Sequence, residues 1–298
     1  MLKEILFCEL IRLINAYFTN DFNSWLIQVY GYDVQQKLDR PDLGPLGSFG
    51  GKRYRKQKLL RNPIVFVHGS SNTAGEQPLV GASFFLSSGY DWSELYATTY
   101  ANGAEGNPLQ WAKYTMDCQY VKQVRALIVA VSLYTDRAVN VIAFSLGVPL
   151  ARKAILGGLC VDTNENLGNP LTTSIDTFIG VAGPNHGVNY KIGQTNIPAC
   201  MFGLLPICNR INGLFSGLCP EESAFLTDIN SFIGYEGRYI FTIYSKTDQV
   251  IGYDICGKVT ARIFGQHGEK VYDKKSHEQI FKDSLAVQLQ MIVNRTVM

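Results

Sequence analysis

Val139-Asn140-Val141-Ile142-Ala143-Phe144-Ser145-Leu146-Gly147 is the stretch that decides the fold of this 298-residue chain. Val139–Ile142 reads as a strand and Val148–Leu156 as a helix, so a serine sits on the sharp turn between them. A serine in such a turn is held in a strained backbone conformation. The residues two places before and after it must then be small, so that strand and helix can pack closely. Ala143 and Gly147 meet that demand. Glycine is usual at the first of these positions, and alanine is its smallest substitute.

A second segment reinforces the first. Asn62-Pro63-Ile64-Val65-Phe66-Val67-His68-Gly69-Ser70-Ser71 reads as a buried strand running into a tight turn. Four consecutive apolar residues bounded by Pro and Gly suit a parallel strand covered on both faces. In an α/β-hydrolase the loop after such a strand supplies one amide of the oxyanion hole, and the residue after the serine supplies the other. Here the donors would be the backbone N–H groups of Ser70 and Leu146. Taken alone, His68-Gly69 is an ordinary strand-ending turn; beside the serine turn it gains a function.

A nucleophilic serine in this fold requires a carboxylate and then a histidine further along the chain. The chain has four histidines. His68 lies in the oxyanion turn and His186 follows the strand-like Thr177–Val181. His267 sits in a glycine-flanked turn. His277 stands directly before a helix whose Phe281, Leu285, Leu289 and Ile292 mark one buried face. The catalytic histidine of this fold lies on the loop before the last helix, so His277 is the expected base, with His267 as second choice. Arg238–Tyr244 reads as a strand rich in aromatic and β-branched residues. Asp248, just past it, is the expected acid, with Asp254 as second choice; aspartate also favours such turns for local reasons.

Phe66-Val67-His68-Gly69, Ala143-Phe144-Ser145-Leu146-Gly147, Gly183-Pro184-Asn185-His186-Gly187, Asp248 and His277 together resemble the class 2 lipases, over roughly residues 62–293. These are small α/β-hydrolases similar to compact bacterial triacylglycerol lipases. Alanine at the first position of the serine turn is a habit of that group. The N-terminal stretch with Gly47-Ser48-Phe49-Gly50-Gly51 looks like the animal, secreted branch of the family. The resemblance implies a mostly parallel central sheet flanked by helices on both faces, and hydrolysis of carboxylic esters, often of lipids. It implies a Ser145–His277–Asp248 triad, a covalent acyl-enzyme and no metal or organic cofactor. Fold alone does not dictate chemistry. A catalytically silent lipid-binding protein, or an acyltransferase or thioesterase using the same triad, are the alternatives.

Composition bounds the rest. A length of 298 residues with 46% hydrophobic content fits one large α/β domain. The expected organisation is a hydrolase domain over 61–298 and an N-terminal extension, 1–60, packed on it. A net charge of +2 is too balanced to suggest nucleic acid. The basic run Lys52, Arg53, Arg55, Lys56 and Lys58 reads as a solvated linker, or as a feature drawn transiently to an anionic lipid surface. Strands are expected near 63–67, 95–100, 138–144, 175–182, 238–244 and 259–265, and helices near 117–133, 146–157 and 278–293. Leu2 to Phe18 is apolar and reads as helical. Glu4, Glu9 and Arg12 interrupt it, so it shows no clear signal peptide, and no run is long enough to span a membrane.

Seven cysteines without zinc spacing favour disulfides in an oxidising compartment, with Cys8 the expected odd one. That usage and the resemblance both imply a secreted protein. Asn294-Arg295-Thr296 is a glycosylation sequon. Residues 188–235 read as an inserted cap, either a mobile cover or a disulfide-pinned subdomain. Its apolar Met201, Phe202, Leu204 and Leu205 are the expected contacts for an ester or lipid substrate.

Overall fold

The computed structural model describes residues 17–103, 107–192, 195–198, 200–217 and 219–297. Within them one eight-stranded sheet organises the chain. Its strands are β1 (Tyr17–Phe18), β2 (Ser48–Gly50), β3 (Ile64–Val67), β4 (Leu95–Thr98), β5 (Val139–Phe144), β6 (Ile175–Val181), β7 (Tyr239–Ser245) and β8 (Gly268–Tyr272). They lie side by side in the order β1-β2-β4-β3-β5-β6-β7-β8. β3 to β8 are mutually parallel, while β2 pairs antiparallel with β4 and parallel with β1.

The helices are α1 (Asn20–Tyr30), α2 (Tyr32–Asp39), α3 (Gln77–Ser87), α4 (Cys118–Thr135), α5 (Gly147–Leu156), α6 (Ala224–Ile229), α7 (His277–Asp283) and α8 (Leu285–Val293). They divide between the two faces of the sheet. Val65 and Val67 of β3 and Val139, Val141 and Ala143 of β5 point into a core shared with α1, α4 and α5. Ile64, Phe66, Ile142 and Phe144 point the other way, into a core shared with α3, α7 and α8. Successive strand residues face opposite sides, so a strand buried on both must be apolar throughout.

Four expected strands fall within a residue or two of the observed ones, and β4 ends two residues short. The last strand is displaced. Of the expected 259–265 segment only Val259 is extended, in the short strand Lys258–Val259 that pairs with Asp254–Ile255, and the parallel partner of β7 is Gly268–Tyr272. That strand lies on the sheet edge, where half-buried Glu269 and Lys270 are tolerated. The expected continuous last helix is two helices meeting at Ser284. The Ser284 hydroxyl donates to the carbonyl of Phe281 at 3.1 Å, and Gln288 Nε2 donates to Ser284 Oγ at 2.8 Å.

The expected helix over Leu2–Phe18 lies outside the described residues as far as position 16, and Tyr17–Phe18 is strand. Thr19 then caps α1, its hydroxyl accepting from the N–H of Phe22 at 3.2 Å. Phe22, Trp25 and Leu26 of α1 are buried, with Trp25 against Tyr134 of α4 and the edge of Tyr30 against Trp25. Buried Asp39 ties this region together. It accepts from Phe18 N at 3.0 Å, Ser48 Oγ at 2.7 Å, Asn23 Nδ2 at 3.1 Å and Gln35 Nε2 at 3.3 Å.

Among the described residues, three disulfides join Cys118 to Cys160, Cys200 to Cys208 and Cys219 to Cys256. The first clamps the start of α4 to the loop after α5. The third clamps the 188–235 insertion to the Asp254–Val259 hairpin. Cys8 lies outside the described residues. No helix among the described residues is long and apolar enough to cross a membrane.

Replacing Asp39 with alanine strands several buried donors at once. Asp39→Ala is expected to lower the unfolding free energy by about 3 kcal/mol, and Asp39→Asn by less. Chemical denaturation checks this; a change below about 0.5 kcal/mol for both variants would contradict it.

Candidate active site

The turn after β5 is built by close packing. Ser145 has φ of 51°, a left-handed value that non-glycine residues adopt only at a cost. Its N–H donates to the carbonyl of Val181 at 2.9 Å, which anchors the turn to the end of β6. Ala143 sits between Val67 of β3 and Gly180 of β6. A Cβ on Gly147 would lie 2.3 Å from the carbonyl oxygen of His68, and one on Gly183 would lie 2.5 Å from Cβ of Val148. Both positions therefore demand glycine for steric reasons. Gly69 brings its own loop to the same point, since a Cβ there would stand 3.0 Å from Cβ of Ser145.

Ser145, His277 and Asp248 meet at the C-terminal end of the sheet, all buried. The Ser145 hydroxyl lies 2.9 Å from Nε2 of His277, and Nδ1 of His277 lies 2.7 Å from Oδ2 of Asp248. A carboxylate only accepts, so Nδ1 carries the proton and Nε2 is free to accept from the hydroxyl. The other carboxylate oxygen, Oδ1, accepts from the N–H groups of Val250 at 2.9 Å and Ile251 at 3.1 Å.

The loops carrying Asp248 and His277 are stitched together. Gln249 Oε1 accepts from the N–H of His277 at 3.1 Å, and Ser245 Oγ accepts from the N–H of Lys275 at 3.0 Å. The side chain of Phe144 packs against both the His277 ring and Phe281. Gln249 and these hydroxyls escaped the sequence reading, because a glutamine beside an aspartate carries no pattern of its own.

The second-choice residues go elsewhere. His267 lies by the start of β7, at the other end of the sheet, where its Nδ1 accepts from the N–H of Ile240 at 3.1 Å. Asp248, and not Asp254, bonds His277. His186 is buried and bonds Oε1 of Glu222 at 3.1 Å, while Lys258 bonds the same oxygen at 2.7 Å. Burial alone would raise the Glu222 carboxyl; hydrogen bonds from His186 and Lys258 overcome it and hold the group at about 2. Neighbouring Asn185 accepts from buried Arg152 at 3.2 Å and donates to the carbonyl of Ala261 at 3.0 Å. The Gly183–Gly187 segment is thus a brace between α5, the insertion and the 254–263 loop.

His68 has a different task. Its ring stacks on Tyr100, with centroids 4.1 Å apart and planes 7° from parallel. Nδ1 donates to the carbonyl of Gly69 at 2.7 Å, Nε2 accepts from the N–H of Tyr100 at 3.1 Å, and the Tyr100 hydroxyl donates to the carbonyl of His68 at 3.0 Å. This pair joins the ends of β3 and β4 and fixes the turn that leads to Ser70.

A cavity opens at Ser145. Ser70 and Leu146 lie beside the serine, and Pro184, Val188, Leu205, Ile207, Leu214, Val250 and Ile251 form apolar walls. Of the four insertion residues expected to meet substrate, Leu205 lines this cavity. Met201, Phe202 and Leu204 do not; Phe202 and Leu204 are 74% and 85% exposed. A larger groove between α2 and α4 is bordered by Lys37, Tyr120 and Lys122 and lies apart from this cluster.

A family model described as lipase (class 2) matches residues 61–290. A search of curated protein sequences gave no significant match. Among solved structures, lipase B of Aspergillus fumigatus is similar with a TM-score of 0.52 at 14% identity. The match covers 78% of this chain and 52% of that one, so this chain spans about half the length of that lipase. The mature form of a Bacillus licheniformis lipase matches at 14% identity and TM-score 0.48, over 82% of this chain and 96% of that one. A thermophilic esterase of Thermogutta terrifontis matches at 14% identity and TM-score 0.49, over 83% and 86%. At such identities the Aspergillus likeness speaks to the fold, which is that of the α/β-hydrolases.

The His68 brace makes a pH prediction. Burial, with a smaller push from Arg40, takes the imidazole down to about 4, although its bond to Gly69 pulls the other way. The unfolded chain, with an ordinary histidine near 6.5, takes up this proton first as pH falls. The contribution of His68 is therefore whole above about pH 6.5 and is lost progressively toward pH 4, by up to about 3 kcal/mol. Between about pH 7 and pH 4.5, the unfolding free energy of the parent is expected to fall more than that of His68→Gln. Parallel declines would contradict the assignment.

Proposed function

The chain belongs to the class 2 lipase family of carboxylic ester hydrolases, and from that premise we propose that it cleaves acyl esters, lipid esters among them, through Ser145, His277 and Asp248. The observation that supports this reading best is the unbroken relay from Ser145 Oγ through the His277 ring to Asp248, at 2.9 and 2.7 Å. An isolated serine hydroxyl is a weak nucleophile and needs such a base beside it.

In the first half-reaction His277 Nε2 takes the hydroxyl proton as Ser145 Oγ attacks the ester carbonyl. Asp248 holds the ring in the required tautomer and stabilises the imidazolium that forms. The N–H groups of Ser70 and Leu146 receive the oxyanion, and loss of one such donor typically costs about 10²–10³ in rate. His277 then returns the proton to the leaving alcohol. Water, activated by the same ring, releases the acid and restores Ser145. None of these steps calls on a metal or an organic cofactor.

The apolar walls of the cavity suit an acyl chain. The exposed Phe202 and Leu204 at the insertion are suited to passing contact with a lipid surface. Three disulfides support a life in an oxidising, extracellular setting. The N-terminal region up to about residue 60 and the insertion are read as additions to a single hydrolase domain.

Turnover of p-nitrophenyl esters and labelling by a fluorophosphonate test the assignment together. Label is expected on Ser145. Ser145→Ala should lose at least about 10³-fold in kcat, and Asp248→Asn about 10⁴-fold, with the fold retained. Gln249→Ala, which frees only the backbone side of His277, is expected to lower kcat about 10-fold with little change in KM. Parent-level turnover in Ser145→Ala, or label on another residue, would refute the mechanism.

A further inference from the structure

The loop between Cys200 and Cys208 has two faces. Both cysteines, with Leu205 and Ile207, line the cavity at Ser145, and Leu214 stands beside them. The disulfide closes this loop covalently. A second tie lies behind it, where the N–H of Leu214 donates to the carbonyl of Ile207 at 2.5 Å. Asn212 Nδ2 donates to Oδ1 of Asp117 at 2.7 Å and to Oδ2 of Asp162 at 3.2 Å. Asp162 in turn accepts from the N–H of Cys118 at 2.9 Å, at the start of α4, which the Cys118–Cys160 bridge pins. The disulfide thus closes the loop on itself, and charge-assisted hydrogen bonds from Asn212 tie the stretch behind it to the body of the domain.

The cavity is small, at about 190 Å³. Ligand pockets for larger molecules run from about 300 Å³ upward.

We propose that the disulfide-closed Cys200–Cys208 loop, backed by Leu214, is the acyl-length gauge of this enzyme, and that it selects esters of short- and medium-chain acids over long-chain esters. The proposal rests on the ester-hydrolase reading and narrows it to a substrate class. Each methylene that enters the cavity adds about a four-fold step in kcat/KM, and the steps end where the wall begins.

The experiment is a panel of p-nitrophenyl acetate, butyrate, hexanoate and dodecanoate. It is run on the parent, Leu214→Ala and Ile207→Phe, with fluorophosphonate labelling of each to count functional sites. For the parent, kcat/KM is expected to climb from acetate to hexanoate and to fall at least about 10-fold by dodecanoate. Leu214→Ala should raise the dodecanoate-to-hexanoate ratio about 10-fold. Ile207→Phe should lower the hexanoate-to-acetate ratio by a similar factor. Dodecanoate turned over by the parent as well as hexanoate would overturn the proposal, even if neither variant folded. So would two labelled variants with unmoved ratios. A parent that neither takes the label nor cleaves any ester would instead overturn the hydrolase reading, and this proposal with it.

Discussion

The left-handed turn at Ser145 is the constraint on which the rest depends. At a φ of 51° the turn is strained, and it persists because three neighbouring segments hold it. The end of β6 accepts its N–H, the turn after β3 presses against it through Gly69, and α5 starts at Gly147 with no room for a side chain. The consequence is geometric. The hydroxyl is lifted out of the sheet toward His277, while the N–H of Leu146 and the loop bearing Ser70 stay close to it. A parallel sheet buried on both faces supplies the stiffness. Each of β3, β5, β6 and β7 has a neighbour on both sides, and their C-terminal ends deliver His68-Gly69, Ser145, Ala182-Gly183 and Asp248 to one place.

Two layers of support surround this centre. Near it, polar side chains act on the backbone: Gln249 on the N–H of His277, Ser245 on Lys275, Tyr100 on His68. Further out, the supports carry charge or are covalent. Arg152, fully buried, joins Glu236, Asn185, Asn230 and the carbonyl of Ile229, and so locks α5 to the loops around α6. Removing one partner from such a buried set leaves an unpaired charge, so its members are held in place together. The disulfides extend the same fixing to the insertion, which has few long apolar elements of its own.

The core of this architecture was legible in the residues. Ile64–Val67 and Val139–Phe144 are apolar enough to be buried on both faces, and Ser145 between Ala143 and Gly147 has little alternative to a tight strand-to-helix turn. The order Ser145, Asp248, His277 followed from the fold once those strands were placed. Other parts were not legible, for physical reasons. β8, Gly-Glu-Lys-Val-Tyr, is an edge strand with half-buried polar residues, so it lacks the apolar signature that Val259–Phe264 carries in a packed loop. α3 has no polar stripe, because most of it is buried between Phe66 and the last helices. The walls of the cavity were only partly foreseen. Leu205 lines it, but Phe202 and Leu204 point to water, since the closure of the disulfide loop, and not hydrophobicity, sets which way its side chains face.

The central claim is that this turn aims the Ser145 hydroxyl, the His277 ring and the N–H groups of Ser70 and Leu146 at a single reacting atom. The most direct measurement is a crystal structure of the protein after reaction with a fluorophosphonate ester, whose phosphorus mimics the tetrahedral centre. The account predicts phosphorus bonded to Ser145 Oγ and its free oxygen about 2.7–3.1 Å from both amide nitrogens, with His277 Nε2 facing the leaving-group side. An adduct on a different side chain, or a free oxygen turned away from both amides, would contradict it.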